Sequence, residues 1–312
     1  MPLRIRRILV AVADGTAKRV TQRAADLALK ARAKIEIFSV IRPDSAVVGL
    51  PNATLLQINR AIAESRRREL DKLAAGLRRQ GIDTVCTVVE DDSLSDSINE
   101  RLKKAPADLV AIEAHKHNLL ARWLLLQSDY DLIRHCPVPL LIVKKAPRPG
   151  RQPILAALDP WHRNDKPASL DSRIVDAGRT IAQLLNVSMH SVHAYSPLLG
   201  FVSDSAFAPV AIPISLPQEE LHEAMIRRRF KALNTKYRIP PRRSHLQVGD
   251  PKFVLPALAG SLKAQLVVMG AISRSAIDRL LLGSTAEQVL DALPCDVLIV
   301  KAKSARATRR RK

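Results

Sequence analysis

The chain repeats itself, and that repetition constrains the fold more than any other feature. D-L-V-A-I, ending at Ile112, returns as Q-L-V-V-M, ending at Met269. Arg122, Leu124 and Leu125 fall opposite Arg279, Leu281 and Leu282 at the same offset, and L-L-I-V-K ending at Lys144 falls opposite V-L-I-V-K ending at Lys301. The openings match as well: R-I-L-V-A-V before Ala13 and P-I-L-A-A-L before Asp159. Ungapped agreement at several places marks a tandem duplication, so the repeat is the unit to be folded. The joint lies in the Pro/Gly/basic stretch from Pro147 to Gln152. This gives a first domain over 1–146, a second over 153–303 and a basic tail over 304–312, within the range that 312 residues allow for two ordinary domains.

Each half alternates strand and helix signals. In the first, strands are expected at Ile8–Val12, Lys34–Val40, Thr84–Val89, Leu109–Ile112 and Pro139–Val143. Between them stand a helix with Val20, Ala24, Leu27, Ala28 and Ala31 on one face, a long basic helix over Leu56–Gln80 closed by Gly81, and a helix over Ser93–Lys104 that stops before Pro106. The second half repeats the order with strands at Ile154–Leu158, Ser188–Ala194, His245–Val248, Leu266–Met269 and Asp296–Val300. With 47% hydrophobic but only 3% aromatic residues, the cores must be aliphatic, as in a parallel sheet covered on both faces. The fold class is α/β: two tandem doubly wound parallel-sheet domains, whose ligands belong in the crevice at the carboxyl ends of the strands.

The residues that carry chemistry sit in the second half. Gly270 ends a strand and would let backbone approach a ligand. Gly283, Ser284 and Thr285 then open a helix, whose free N–H groups suit phosphate. The same residues have plainer uses: Ser284 and Glu287 form a capping box, the two glycines can shape turns, and Asp159 can turn the chain before Pro160.

The pattern resembles that of nucleotide-binding universal stress proteins: G-x-x-G, nine residues, then G-(S/T). Gly270 matches the first glycine, Ser273 stands at the second, Arg274 to Leu282 fill the spacer, and Gly283-Ser284 close it. Asp159 matches the family's nucleoside-contacting acid, and D-P-W-H-R-N-D-K-P-A from Asp159 to Ala168 looks like the tandem E-type members. The resemblance, which covers the chain as far as Lys301, implies an adenine nucleotide alpha hydrolase-like fold. It also implies an ATP-like ligand held by Asp159, Gly270, Ser273, Gly283, Ser284 and Thr285, at most weak ATP hydrolysis, and a stress-response role through partner contacts. Single-domain members dimerise through their last strands, which implies an intramolecular pseudo-dimer here and leaves a homodimer open.

The first half lacks that pattern. Glu113 stands for Gly270, Lys116 for Ser273, Leu126 for Gly283, Gln127 for Ser284 and Ala13 for Asp159. A carboxylate at Glu113 is expected to repel phosphate, so no nucleotide is expected in this half.

Other signals are weaker. Glu113, His115 and His117, and likewise Asp159, His162 and Asp165, have metal-ligand flavour without a complete set, and solvated loop residues are the plainer reading. His190 and His193 lie on one strand, where core or crevice packing is the default. The apolar, proline-bearing stretch from Ser196 to Pro217 is too irregular for a helix. It is expected either to pack on the other half or to act as a lid, which raises the alternative of a sensor or carrier of an apolar or acyl ligand. A scaffold without nucleotide is the third reading. The net charge of +20 favours anionic partners generally. The basic stretch from Met225 to Lys236 and the basic tail come with no nucleic-acid reading motif, so nucleic acid is not expected as a partner. The three cysteines form no C-x-x-C pair and read as reduced, mostly buried thiols. With neither a leader pattern nor a membrane-spanning stretch in view, a cytoplasmic location is expected. No catalytic constellation is recognisable.

Overall fold

The structure is a computed structural model that describes residues 3–12, 18–41, 52–91, 93–116, 123–124, 127–145, 150–160, 169–196, 199–202, 210–213, 216–271 and 284–302. The first half runs β1 (Arg7–Ala11), α1 (Lys18–Ala31), β2 (Lys34–Ile41), α2 (Asn52–Arg79), β3 (Thr84–Glu90), α3 (Leu94–Lys104), β4 (Leu109–Glu113), a short pair β5 (His115–Lys116) and β6 (Trp123–Leu124), α4 (Gln127–His135) and β7 (Leu140–Val143). The second runs β8 (Ile154–Ala157), α5 (Ser169–Leu185), β9 (Met189–Tyr195), β10 (Leu199–Val202), β11 (Val210–Pro213), α6 (Leu216–Lys236), β12 (Ser244–Val248), α7 (Pro251–Ser261), β13 (Leu266–Ala271), α8 (Ser284–Ala292) and β14 (Asp296–Lys301).

Ten strands form one sheet in the order β12-β9-β8-β13-β14-β7-β4-β1-β2-β3. Within each half every pair of this sheet is parallel, and the order is that of a doubly wound domain. The halves join where β14 runs antiparallel to β7, with Val297, Leu298 and Ile299 opposite Ile142, Leu141 and Leu140. The two domains are therefore back to back along one continuous sheet, joined by the last strand of each.

Alternation along the strands builds a core on each face. Ile8, Val10, Ile154 and Ala156 point to the side of α1, α2, α5 and α6, where Leu27, Leu70, Ile174 and Phe230 meet them. Leu9, Leu155 and Val192 point to the side of α3, α4, α7 and α8, where Ile98, Leu132, Leu255 and Val289 close the layer. Both cores run through the two halves without a break. Strands buried on both faces explain why β1, β4 and β7 read as unbroken apolar runs.

Helix ends follow local chemistry. Ser93 caps α3 by accepting the Asp96 N–H, and Asp250 caps α7 by accepting the Lys252 N–H, with Pro251 at the first helical position. Gly81, at φ +83°, turns the chain out of α2 as expected. The stretch from Ser196 to Pro217, too irregular for a helix, contains an antiparallel ribbon in which β10 pairs β11, Leu199 opposite Pro213 and Val202 opposite Val210. Prolines hid it: Pro213 ends β11, a position a strand tolerates only where the missing N–H is not needed. No described helix is long and apolar enough to cross a membrane.

Candidate functional site

In the second domain β8 lies between β9 and β13, and the chain leaves β8 and β13 toward opposite sides. That point is the topological switch of the domain, where a doubly wound sheet opens its crevice. Three of the expected site elements come to this edge. Asp159 follows β8, Gly270 lies near the end of β13, and Ser284-Thr285 open α8. Ser273 and Gly283 lie outside the described residues, as do His117, His162, Asp165 and the tail from Lys303.

Local packing gives these positions definite surroundings. The half-buried Asp159 donates its backbone N–H to Oδ1 of Asp171 at 3.4 Å, and Asp171 is fully buried in the first turn of α5. The same turn packs over Gly270. A Cβ there would lie 2.7 Å from Leu170 Cδ2 and 3.3 Å from Ile174 Cδ1. This glycine was expected to admit a ligand, and the structure gives it a second reason: it makes room for α5. On the other side of β8, a ring nitrogen of His193, Nδ1, meets the Leu158 carbonyl at 3.0 Å, and Phe230 tilts against the same ring. Behind it, Ser191 donates to Asn234 Oδ1 at 2.6 Å, and Asn234 Nδ2 donates to Ser244 Oγ at 2.7 Å and to the Phe230 carbonyl. This network ties β9, α6 and β12 together under the crevice. Sequence reasoning missed it; its only signal was polar residues in otherwise apolar elements.

The first domain fills the corresponding place with its own side chains. Glu113, at the end of β4, takes the Arg19 Nε–H at 2.6 Å on one oxygen and the Val20 N–H at 3.0 Å on the other. It thus satisfies the start of α1 and sits against the positive end of that helix. Arg19 also reaches the Lys144 carbonyl, at 3.5 Å. At the end of β1, the buried Arg66 donates to Ser39 Oγ at 3.0 Å and to the Val12 carbonyl at 3.2 Å, and pairs with Glu69 at 2.6 Å. Glu113 was expected to repel phosphate. It is instead neutralised by Arg19, and what it does is occupy the donors that an anion would need.

Each metal-like cluster includes residues outside the described ones, His117 in the first and His162 and Asp165 in the second; among the described residues no group of three or more His, Cys, Asp or Glu side chains converges. Glu113 is committed to Arg19. The cysteines are free thiols, Cys136 and Cys295 buried and Cys86 half-buried, and burial pushes the Cys295 thiol up to about 12, which keeps it protonated and unreactive.

Comparison with known proteins agrees with this architecture. The universal stress protein family matches residues 4–144 and again 151–301. Universal stress protein E of Escherichia coli K12 is 34% identical over 206 residues, covering 62% of this chain and 60% of that protein. The Salmonella typhi protein of the same name is 33% identical, covering 62% and 61%, and the Haemophilus influenzae homologue is 27% identical over 252 residues, 78% of each. The alignments thus span about three fifths of the two enterobacterial proteins. Among solved structures, a functionally unknown protein from Pseudomonas aeruginosa superposes with a TM-score of 0.73 at 23% identity, covering 96% of this chain and 93% of its own. A universal stress protein from Archaeoglobus fulgidus gives 0.66 at 15%, covering 96% and 98%. With two matched domains on one shared sheet, the chain belongs to the universal stress protein family, as a tandem protein similar to the E-type members.

Proposed function

We propose that the second domain binds an adenine nucleotide, ATP or a close analogue, and that ligand-dependent contacts with partner proteins give the chain a role in stress response. The contrast between the two switch points supports this reading. In the first domain Glu113 takes up the Val20 N–H and the Arg19 guanidinium. In the second domain the equivalent strand position is Gly270, which has no side chain to do so, while Asp159 and the start of α8 come to the same edge. A helix start offers free N–H groups to phosphate, and a carboxylate at a strand end accepts from ribose hydroxyls. Asp159 would hold the nucleoside; Gly270, Ser273, Gly283, Ser284 and Thr285 would surround the phosphates.

Calorimetric titration of ATP into the wild type and into Gly283→Asp tests the reading. Binding in the wild type that is lost in the variant supports it; a wild type that takes up no nucleotide overturns it. Mass spectrometry of material extracted from the purified protein separates this from the apolar-ligand alternative, which would release an acyl compound instead.

A further inference from the structure

We propose that His190 and His245 form a two-imidazole site for a divalent transition cation of tetragonal preference, Cu²⁺ or Ni²⁺, at the outer edge of the second domain's sheet. The proposal is independent of the nucleotide reading. The two histidines come from neighbouring parallel strands: β12 lies beside β9 with His245 opposite Val192, and His190 precedes Val192 by two residues, so both side chains are on the same face. His190 Nδ1 and His245 Nε2 are 2.9 Å apart, with ring planes 5° apart and ring centroids 5.2 Å apart. Among the described residues β12 pairs with β9 alone, so the pair sits at a sheet edge, and both side chains are half-buried.

Two features suit this hydrogen-bonded pair to a cation. The first is the bite. With metal–nitrogen bonds of about 2.0–2.1 Å, two ligands at a right angle lie about 2.9 Å apart, whereas tetrahedral ligands lie about 3.4 Å apart. The observed separation fits the right angle, once each half-exposed ring pivots to aim its lone pair at a common point. Second, Ser188 Oγ lies 3.2 Å from the far nitrogen of His190. It can accept the Nε2–H of the tautomer whose Nδ1 lone pair binds metal, the outer support typical of ligating histidines. The cationic Arg243 lies near His190. Binding needs no net proton release: each ring keeps one N–H, Nε2–H on His190 and Nδ1–H on His245, and turns its other nitrogen to the metal. Arg243 lowers the affinity, and water fills the remaining positions, which makes the site exchangeable.

The test is titration of the untagged full-length chain with Cu²⁺ and with Ni²⁺ by calorimetry, and nitrogen hyperfine structure in the Cu²⁺ spin resonance spectrum. The wild type should take up one more equivalent than His245→Gln or His190→Gln, with two-nitrogen hyperfine structure lost in either variant. Ser188→Ala, which keeps both rings, should bind about 10-fold more weakly, and Zn²⁺ should bind more weakly than Cu²⁺. Circular dichroism establishes that the variants are folded. If His190→Gln does not fold, His245→Gln on the edge strand and Ser188→Ala carry the test. Equal stoichiometry and spectra in the wild type and the histidine variants, or no uptake by the wild type, overturns the proposal.

Discussion

Lys144 and Lys301, equivalent residues of the two repeats, each reach across the domain boundary to cap the last helix of the other half. Lys144 Nζ donates to the carbonyls of Leu290, Asp291 and Leu293 at the end of α8, and Lys301 Nζ donates to the Arg134 carbonyl at the end of α4, at 2.7 Å. Helix C-termini leave carbonyls without intrahelical partners and carry partial negative charge, so an ammonium suits them. Tyr130, which donates to the Asp291 carboxylate at 3.0 Å, adds to the same boundary. Burial opposes the charge and lowers both lysines from 10.5 to about 8.

The sign of the resulting pH dependence follows. Between about 8 and 10.5 the unfolded lysine holds a proton that the folded one has released, so the contribution of Lys144 to stability rises with pH across that window. Lys144→Met is therefore expected to destabilise the chain by about 1–3 kcal/mol at pH 7.5, by leaving buried carbonyls without a donor, and by more at pH 9.5. Urea unfolding of both proteins at the two pH values measures the difference, and a cost that shrinks with pH contradicts the assignment.

Arg23 and Asp296 form a second bond between the halves. Arg23 Nε donates to Asp296 Oδ2 at 2.7 Å, both side chains nearly buried, and Asp296 Oδ1 accepts the N–H groups of Lys144 and Lys145 at 2.9 and 3.1 Å. Removing one partner strands a buried charge. Asp296→Ala should cost about 3–5 kcal/mol. The double change to Arg23→Met with Asp296→Leu should recover much of that loss, because apolar residues of similar volume need no desolvation of ions. Denaturant midpoints of the single and double variants decide; equal losses in both would show that the carboxylate's bonds to the lysine N–H groups dominate.

Much of this fold was legible because the repeat supplied every strand of the ten-stranded sheet twice. The predicted strands agree with the structure to within a residue or so at each end, since a strand buried on both faces must be continuously apolar. The turn at Gly81 was legible for a local reason, the left-handed backbone a glycine allows after a helix. Polar contacts between distant segments were not. The Ser191–Asn234–Ser244 network, the Arg19–Glu113 pair and the Lys144 cap join residues far apart in sequence, and nothing in the local pattern says which buried polar group answers which. Gly270 shows the other limit. A glycine at a strand end reads equally as a place for a ligand or for a neighbouring helix, and only the position of Leu170 supplies the second answer.

Glu36 gives a pH dependence of opposite sense. It is fully buried on β2. Burial alone would raise its pKa, but hydrogen bonds from Arg101 at 2.6 Å, Thr87 at 2.7 Å and Arg7 at 2.5 Å outweigh burial and hold it below the ordinary 4.5. Its stabilisation is present above the unfolded value and is lost as pH falls through the folded one. Glu36→Gln should cost about 2–3 kcal/mol at pH 7, with the gap to wild type closing only below pH 4.5. Thermal melts of the two proteins between neutral pH and pH 3 follow that gap, and a gap independent of pH would mean the amide loses packing rather than charge.

Glu113 carries a prediction for the first domain. Glu113→Ala removes the acceptor for Val20 N–H and leaves Arg19 without its carboxylate, so it should destabilise by about 1–2 kcal/mol, as loss of a helix cap does. If the nucleotide site is in the second domain alone, ATP affinity should be unchanged. A large fall in affinity would place the ligand against the first domain instead.

The contact between Gly270 and Leu170 allows packing and binding to be separated. Gly270→Ala places a methyl group within 2.7 Å of Leu170 Cδ2, closer than a real contact permits, so Leu170 or α5 must shift. The expected cost is about 1–3 kcal/mol, typical of overpacking. Leu170→Ala alone opens a cavity and should cost about 2–5 kcal/mol. Together they should be less destabilising than the sum, since the new methyl enters the space vacated by the old side chain. The ligand reading makes a different demand. If the crevice also needs Gly270 for close approach of phosphate, the double variant will recover stability but not ATP affinity. Unfolding curves and calorimetry on the same four proteins read both quantities. Recovery of both assigns this glycine to packing against α5 and leaves phosphate recognition to the start of α8.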